Sequence, residues 1–189
     1  MNIPTHLPNE ASSDEVVTQL TQDWVVKAVI GLNLCPFAKA EHVHGRIRYE
    51  VSHSTDSDTL LQELKQSIQF LWSQPAEVVE TTLLVHPWAL PDFLDFNDFL
   101  AHVDDLVDGL DLAGDIQVAS FHPQYQFAGT DMDDIDNYTN RSPWPTLHII
   151  REASIDRAVQ AFPEAEQIYE RNIAVLRQLG HAGWKKLWS

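Results

Sequence analysis

The amino-acid sequence predicts an α/β fold: one domain built on a mixed four-stranded sheet with helices, in the element order αβαβαββαα. Three features carry this prediction. Residues 45–53 alternate between apolar and polar side chains, as a strand with one polar face does. Residues 81–85 form a continuous apolar run, typical of a strand buried on both faces. Residues 58–72 between them repeat apolar side chains at helical spacing, which makes a βαβ unit with a right-handed crossover.

The remaining elements follow from the same periodicities. Apolar residues recur at helical spacing over Asp14–Leu34, behind a capping box formed by Ser12 and Glu15, and Pro36 must end that helix. Pro91–Leu112 repeats the helical pattern with an acidic outer face. The last predicted elements are strands over Ile116–His122 and Thr146–Glu152, then helices over Ser154–Phe162 and from Pro163 to Gly180. A flexible arm over residues 1–13 and a globular domain over residues 14–189 complete the predicted organisation.

The composition limits the classes of partner. Twelve Lys and Arg face 28 Asp and Glu, a formal net charge of -16, and such a field repels nucleic acid and anionic membrane surfaces. No apolar run has the length of a membrane span, and the first residues lack a secretory signal. A single Cys excludes a disulfide framework, so a cytoplasmic location is expected. The oligomeric state is not predicted.

A long connection between the last two predicted strands is the strongest candidate for a functional site. Connections of this length in a compact domain are usually functional or disordered, and its aromatic and polar side chains argue against disorder. Arginines at positions 141 and 151 suit a carboxylate or phosphate ligand, but they could equally pair with nearby carboxylates and hold the loop together. The predicted ligand-binding residues are Arg141, Arg151, Asn137, Asn140, Tyr125 and Arg48.

Strand alternation indicates an unusually polar sheet face. His148 and Glu152 fall on one side of the fourth strand, and we expect them to share that face with Arg46 and Arg48 of the first strand and Gln117 of the third. This face is either open to water or the floor of a pocket.

Three side chains are candidates for catalysis. His122 and His148 could serve as general acid and base near neutral pH, although a His before Pro is as often a turn residue. Cys35 could be a nucleophile if a neighbouring cation or His lowered its pKa. The alternative for Cys35 is a buried structural thiol at a helix end, slow to react with thiol reagents, and the sequence favours that alternative.

Metal and cofactor sites find little support. His42 and His44 do not have the spacing of a zinc finger or metalloprotease, and Asp131–Asp136 lacks the central Gly and closing Glu of a calcium loop. Phosphate-binding loops, dinucleotide-binding motifs and the nucleophile elbow of hydrolases are absent. The sequence therefore predicts no metal and no cofactor.

Five short motifs, taken together, resemble a bacterial family catalogued as domain of unknown function 1415. They are Asn33-Leu-Cys-Pro-Phe-Ala38, Phe121-His-Pro-x-Tyr-x-Phe127, Asn137-Tyr-Thr-Asn-Arg-Ser-Pro143, Pro145-Thr-Leu-His148 and Arg151-Glu152. Arg171 and Asn172 of the last helix are further motif positions. The resemblance covers nearly the whole chain after the arm. It implies a soluble single-domain protein and carries over no activity.

Two functions from different classes remain open. The first is an enzyme acting on a small anionic metabolite, with Arg141 and Arg151 gripping the anion and His148 or His122 moving a proton. The second is a non-catalytic ligand-binding or protein-interaction module that uses residues 121–152. An enzyme predicts a deep pocket with His148 facing it, whereas an interaction module predicts a flat patch with Trp144 and Tyr125 exposed.

Overall fold

The computed structural model describes residues 13–161 and 167–188, which fold around one four-stranded mixed sheet. Strand β1 (Ile47–Val51) pairs in parallel with β2 (Thr81–Val85). Strand β4 (Thr146–Arg151) lies antiparallel between β2 and β3 (Ile116–Phe121), so the order is β1-β2-β4-β3. The predicted α/β class and mixed four-stranded sheet are confirmed. The predicted arm lies outside the described residues, apart from Ser13.

The first helical segment is more broken than the sequence predicts. Helix α1 (Asp14–Trp24) is capped by the Ser13 side chain and runs directly into a π-helix (Val25–Ile30). A turn that includes Asn33 at a φ of 54° follows, and then a short helix α2 (Ala38–Val43). The single helix predicted over residues 14–34 is therefore wrong in its second half, since wider helical turns and a left-handed residue redirect the chain before Pro36.

Two long helices cover one face of the sheet. Helix α3 (Ser57–Ser73) begins at Asp56 and α4 (Phe93–Gly109) begins at Asp92, and each aspartate accepts hydrogen bonds from backbone N–H groups of the first turn. Their apolar sides pack on alternate residues of the central strands to form the larger core. Its fully buried members include Leu60, Leu64, Ile68, Leu84, Phe96, Leu147 and Ile149.

The opposite face is covered by α1, the π-helix and α6 (Ile168–Lys186). Its core includes Val17, Trp24, Leu83, Val85, Trp144, Leu176 and Trp184. Helix α6 continues past the predicted end, because the chain bends at Gly180 with a φ of 62° and resumes its helical course. Helix α5 (Glu152–Ala161) matches the helix predicted over Ser154–Phe162, apart from an earlier start and Phe162, which lies outside the described residues. Because both faces are covered, a water-open sheet face is excluded.

The strand register corrects one prediction about the polar face. Gln117 lies opposite Ile150, and His148 lies opposite Leu83 and Ala119, so Gln117 and His148 share a face as expected. Arg48 lies opposite Thr82, on the other face, since the intervening strand places it in step with Ile149 and not with His148. Glu152 is the first residue of α5 and not part of the strand.

Candidate ligand cavity

A cavity of about 880 Å³ lies between the His148 face of the sheet and the segment that joins α1 to α2. Its floor is made by alternate residues of all four strands, which the register places on one face. They are Ile47, Thr81, Leu83, Ala119, Phe121, His148 and Ile150. The cavity falls within the range of about 300–1,000 Å³ common for small-molecule sites.

The wall facing this floor comes from the stretch where the first helix breaks down. Trp24 and the π-helix residues Val25 and Val29 supply apolar surface, and Trp24 packs edge-on against Phe121 with ring centroids 5.0 Å apart. The next turn adds Cys35 and its neighbours up to Ala40. The turn therefore places a thiol opposite a histidine-bearing strand, although the two residues are far apart in sequence.

His148 is the central polar group of the floor. It is half-buried, and its Nε2 lies 2.7 Å from the hydroxyl of Thr81 on the neighbouring strand. Burial among apolar side chains lowers the pKa of His148 to about 4. The imidazole is therefore neutral at neutral pH and can accept or donate a hydrogen bond inside the cavity.

Cys35 is partly exposed and lines the cavity, which corrects the expectation that this residue is buried. Burial raises the pKa of the Cys35 thiol, and hydrogen bonds from the backbone N–H groups of Phe37 and Ala38 act against that increase. The thiol form is favoured at neutral pH. Its position is suited to contact with a ligand, but nothing around it activates it as a nucleophile.

The charged residues of the cavity are paired with one another. The Arg46 guanidinium lies 2.8 Å from the Glu41 carboxylate, and Arg157 lies 3.0 Å from Glu80, which is 7% exposed. Glu77 also lines the cavity, so three carboxylates accompany the two arginines there. Because each guanidinium already has an acidic partner, neither is free to bind an incoming anion.

His122, the other predicted proton carrier, lies outside the cavity. It is fully buried on the opposite side of the sheet edge, 5.2 Å from the ring of Phe96, and its Nε2 lies 3.3 Å from the Leu90 carbonyl. Its Nδ1 accepts a hydrogen bond from the backbone N–H of Gln124. Burial lowers the pKa of His122 to about 4. One ring nitrogen therefore serves the turn that follows β3, and the other contacts the segment between β2 and α4.

Three predicted ligand-binding side chains of the β3–β4 connection (residues 122–145) hydrogen-bond groups of the same connection or of the adjoining strand. Arg141 donates to the carbonyls of Tyr125 and Met132 at 3.2 and 2.5 Å and stacks on the ring of Tyr138. Asn137 is fully buried and bonds four groups of residues 127–132. The Asn140 amide donates to the Ser120 carbonyl at 3.3 Å.

The other predicted ligand-binding residues also lie away from the cavity. Arg151 donates to the carbonyls of Leu71, Gln74 and Val79, which closes the end of α3. Arg48 pairs with Glu50 at 2.6 Å and stacks on Phe70. Tyr125 packs against Phe93 with centroids 5.1 Å apart. Of the predicted site residues, the cavity brings together His148 and Cys35 alone.

Sequence reasoning missed Thr81, Trp24, Glu80 and Arg157 as cavity residues. For Thr81 a partial signal was present, since it is a hydroxyl in an otherwise apolar strand; the structure places it opposite Ile150, diagonal to His148 on the same face. Arg157 and Glu80 had no such signal, because their pairing depends on how α5 folds back over the sheet edge.

Within residues 13–161 and 167–188, no group of three or more His, Cys, Asp or Glu residues could hold a metal ion. No helix of that part is long and apolar enough to cross a membrane.

The fold and the cavity define an α/β protein with a cavity of small-molecule size that is lined by a thiol and a neutral histidine. A family model described as a protein of unknown function (DUF1415) matches residues 16–186, and the chain belongs to that family. This confirms the family resemblance of the sequence motifs. Comparison of the chain with curated proteins and with solved structures gives no match.

Proposed function

We propose that this protein binds a small, uncharged and mostly apolar organic molecule in the cavity. The observation that carries this proposal is the cavity itself: about 880 Å³, with an apolar floor and wall and a few converging polar groups. Such lining is typical of small-molecule sites, where apolar contact supplies affinity and isolated polar groups fix orientation. Cys35 and His148 are those polar groups, and the Thr81 hydroxyl hydrogen-bonds His148. A cytoplasmic location, inferred from the single Cys, is part of the proposal.

The charges around the cavity favour an uncharged ligand. Three carboxylates and two guanidinium groups line it, and both guanidinium groups are held in ion pairs. An anion would have to displace a carboxylate that is already in place, against the field of a chain with a formal net charge of -16. For a cation, two of the three carboxylates, Glu41 and Glu80, are already paired with arginines, which leaves Glu77.

An enzyme acting on a small anionic metabolite is the second candidate. The observation that favours it is the presence of Arg46 and Arg157 near His148 in one cavity. It requires the ligand to replace Glu41 or Glu80 as the arginine's partner. An interaction module that uses residues 121–152 has less support, since Trp144 is 4% exposed and cannot serve as a surface anchor.

The two candidates predict opposite preferences between probes of equal size. The neutral probe is 2-methoxynaphthalene and the anionic probe is 2-naphthoate. Binding is measured by calorimetry and by quenching of tryptophan fluorescence, to which Trp24 at the cavity wall contributes. We expect the neutral probe to bind at least about tenfold more tightly, a difference of about 1.4 kcal/mol. Tighter binding of naphthoate would favour the anionic-metabolite enzyme, and failure of both probes would refute a cavity for small molecules.

A pair of matched variants locates the binding. Ala119→Phe places a ring in the cavity floor beside His148 and should abolish binding of the neutral probe. Ala101→Phe makes the same change on the exposed side of α4 and should leave binding unaltered. Equal affinities in both variants would place the probe somewhere other than the cavity.

A further inference from the structure

The hydrogen bonds of Thr81 determine where His148 carries its proton. The Thr81 Oγ1 lies 2.7 Å from the Ile149 carbonyl oxygen and 2.7 Å from His148 Nε2. A carbonyl only accepts, and a hydroxyl has one hydrogen to donate. Both contacts are therefore satisfied together when Thr81 donates to Ile149 and accepts from an Nε2–H group of His148. The neutral imidazole is held as the Nε2–H tautomer.

The second ring nitrogen of His148 is left with a lone pair. Nδ1 makes no hydrogen bond with the residues that the structure describes, and it is not among the fully enclosed side-chain atoms without a partner. The residue lines the cavity. Because burial lowers the pKa of His148 to about 4, the lone pair is available throughout the neutral range.

We infer that His148 Nδ1 is the acceptor that selects ligands carrying a hydrogen-bond donor, such as a hydroxyl, a phenol or an amide N–H, within the apolar cavity. This inference rests on the proposed function and specifies its ligand class. Thr81 is a positioning residue: it touches no ligand through this contact and acts by fixing the tautomer of His148.

Two neutral probes that differ in one group test the selection. Both have a naphthalene body, but 2-naphthol donates a hydrogen bond and 2-methoxynaphthalene only accepts. We expect wild-type protein to bind 2-naphthol about three- to tenfold more tightly, as one net hydrogen bond in a buried site provides. In His148→Phe the two probes should bind with equal affinity, because the acceptor that distinguishes them is gone.

The role of Thr81 is tested by rescue and by the imidazole resonances. Thr81→Val removes the acceptor for Nε2–H, so the ¹⁵N shifts of the His148 ring should move toward a mixture of tautomers and the preference for 2-naphthol should fall. Thr81→Ser keeps the hydroxyl and should restore both. A Thr81→Val protein with unchanged ring shifts would refute the positioning role.

A measurement on wild-type protein keeps the inference testable if a variant fails to fold. Adding 2-naphthol should shift the ¹⁵N resonance of His148 Nδ1, whereas 2-methoxynaphthalene should not. If neither naphthalene probe binds, the proposed function fails. If both bind with equal affinity and leave the Nδ1 resonance alone, the cavity site stands and the selection by His148 is refuted.

Discussion

The β3–β4 connection and the cavity both gather polar and aromatic side chains, but they use them in opposite ways. In the connection, Asn137 and Arg141 bond backbone groups of neighbouring loop residues. In the cavity, His148 hydrogen-bonds Thr81 through Nε2 and lines an apolar space. The connection has more polar side chains, but Asn137 and Arg141 use theirs in hydrogen bonds within the protein. The cavity has fewer polar groups, and they line the space that a ligand would occupy.

The difference follows from the needs of the backbone. A long irregular connection leaves many N–H and C=O groups without ladder partners, and side chains must supply the missing bonds. In a strand the ladder satisfies the backbone, so a polar side chain on the inner face is not required for that purpose. Polar residues in a long loop are therefore weaker pointers to a ligand than a polar residue on a buried sheet face.

Acidification should produce the largest effect, because it acts on buried histidines in both regions. Burial lowers the pKa of His86 to about 3 and those of His122 and His148 to about 4. The unfolded rings have a pKa of about 6.5, so below that pH the unfolded state binds protons that the folded state does not. The free energy of unfolding should fall from about pH 6.5 downward, by roughly 3 kcal/mol or more per ring.

Urea unfolding at a series of pH values between about 7.5 and 4.5 measures this loss. His86 and His122 flank Phe96 outside the cavity, so most of the pH dependence should survive in His148→Phe. Complete loss of pH dependence in that variant would contradict the structural role assigned to His86 and His122. Stability that stays level down to about pH 4.5 would contradict the burial effect itself.

Asn137→Ala should give the largest loss of stability among single changes in the connection. Its Oδ1 accepts from the Phe127 N–H at 3.0 Å and the Thr130 hydroxyl at 2.7 Å, and its Nδ2 donates to the Asp131 carbonyl at 2.8 Å. Stranding these groups should cost about 2–4 kcal/mol, a fall in melting temperature of roughly 5–15 °C. The control Asn97→Ala, on the exposed side of α4, should change stability by less than about 0.5 kcal/mol.

The affinity for 2-naphthol sharpens the comparison in the same variant. Asn137→Ala should leave it unchanged in the remaining folded protein, since the residue lies outside the cavity. A loss of binding without a loss of stability would place the ligand site in the connection after all.

Arg141→Ala should have a smaller effect on stability. It removes two hydrogen bonds to the Tyr125 and Met132 carbonyls and the stacking on Tyr138, about 1–3 kcal/mol in total. Thermal melting of Arg141→Lys provides the control, because Lys keeps the charge but not the fork that reaches two carbonyls. We expect Lys to recover less than half of the lost stability. A full recovery with Lys, together with charge-dependent binding of 2-naphthoate, would indicate an anion site at Arg141.

The parts of the fold that sequence could predict are those set by local periodicity. Alternation and helical spacing gave the four strands and α3, α4 and α5 close to their observed bounds. Strand order and register depend on long-range pairing, which is why Arg48 was placed on the wrong face. The π-helix was missed because its local pattern continues that of α1, and α2 because it spans only six residues.

The candidate site was predictable in part for the same reason. His148 was found because its strand could be recognised and a histidine within it is conspicuous. The wall that faces it is built from a stretch more than a hundred residues away along the chain, and nothing local in either segment specifies that they meet. Arg141 and Asn137 were overvalued because a sequence shows a polar group without showing the carbonyl that it binds.

Labelling of Cys35 is the smallest and most selective test of the cavity. Its thiol is partly exposed, and burial raises its pKa, so less thiolate is present at neutral pH than in the unfolded chain. Native protein should therefore react with a neutral maleimide more slowly than urea-unfolded protein. Because Cys35 lines the cavity, 2-naphthol at ten times its dissociation constant should slow the native reaction by about a further tenfold. In Ala119→Phe, which should not bind the probe, 2-naphthol should no longer slow the labelling. In Ala101→Phe it should slow the labelling as in wild type. Native labelling faster than that of the unfolded chain would instead indicate an activated nucleophile at Cys35.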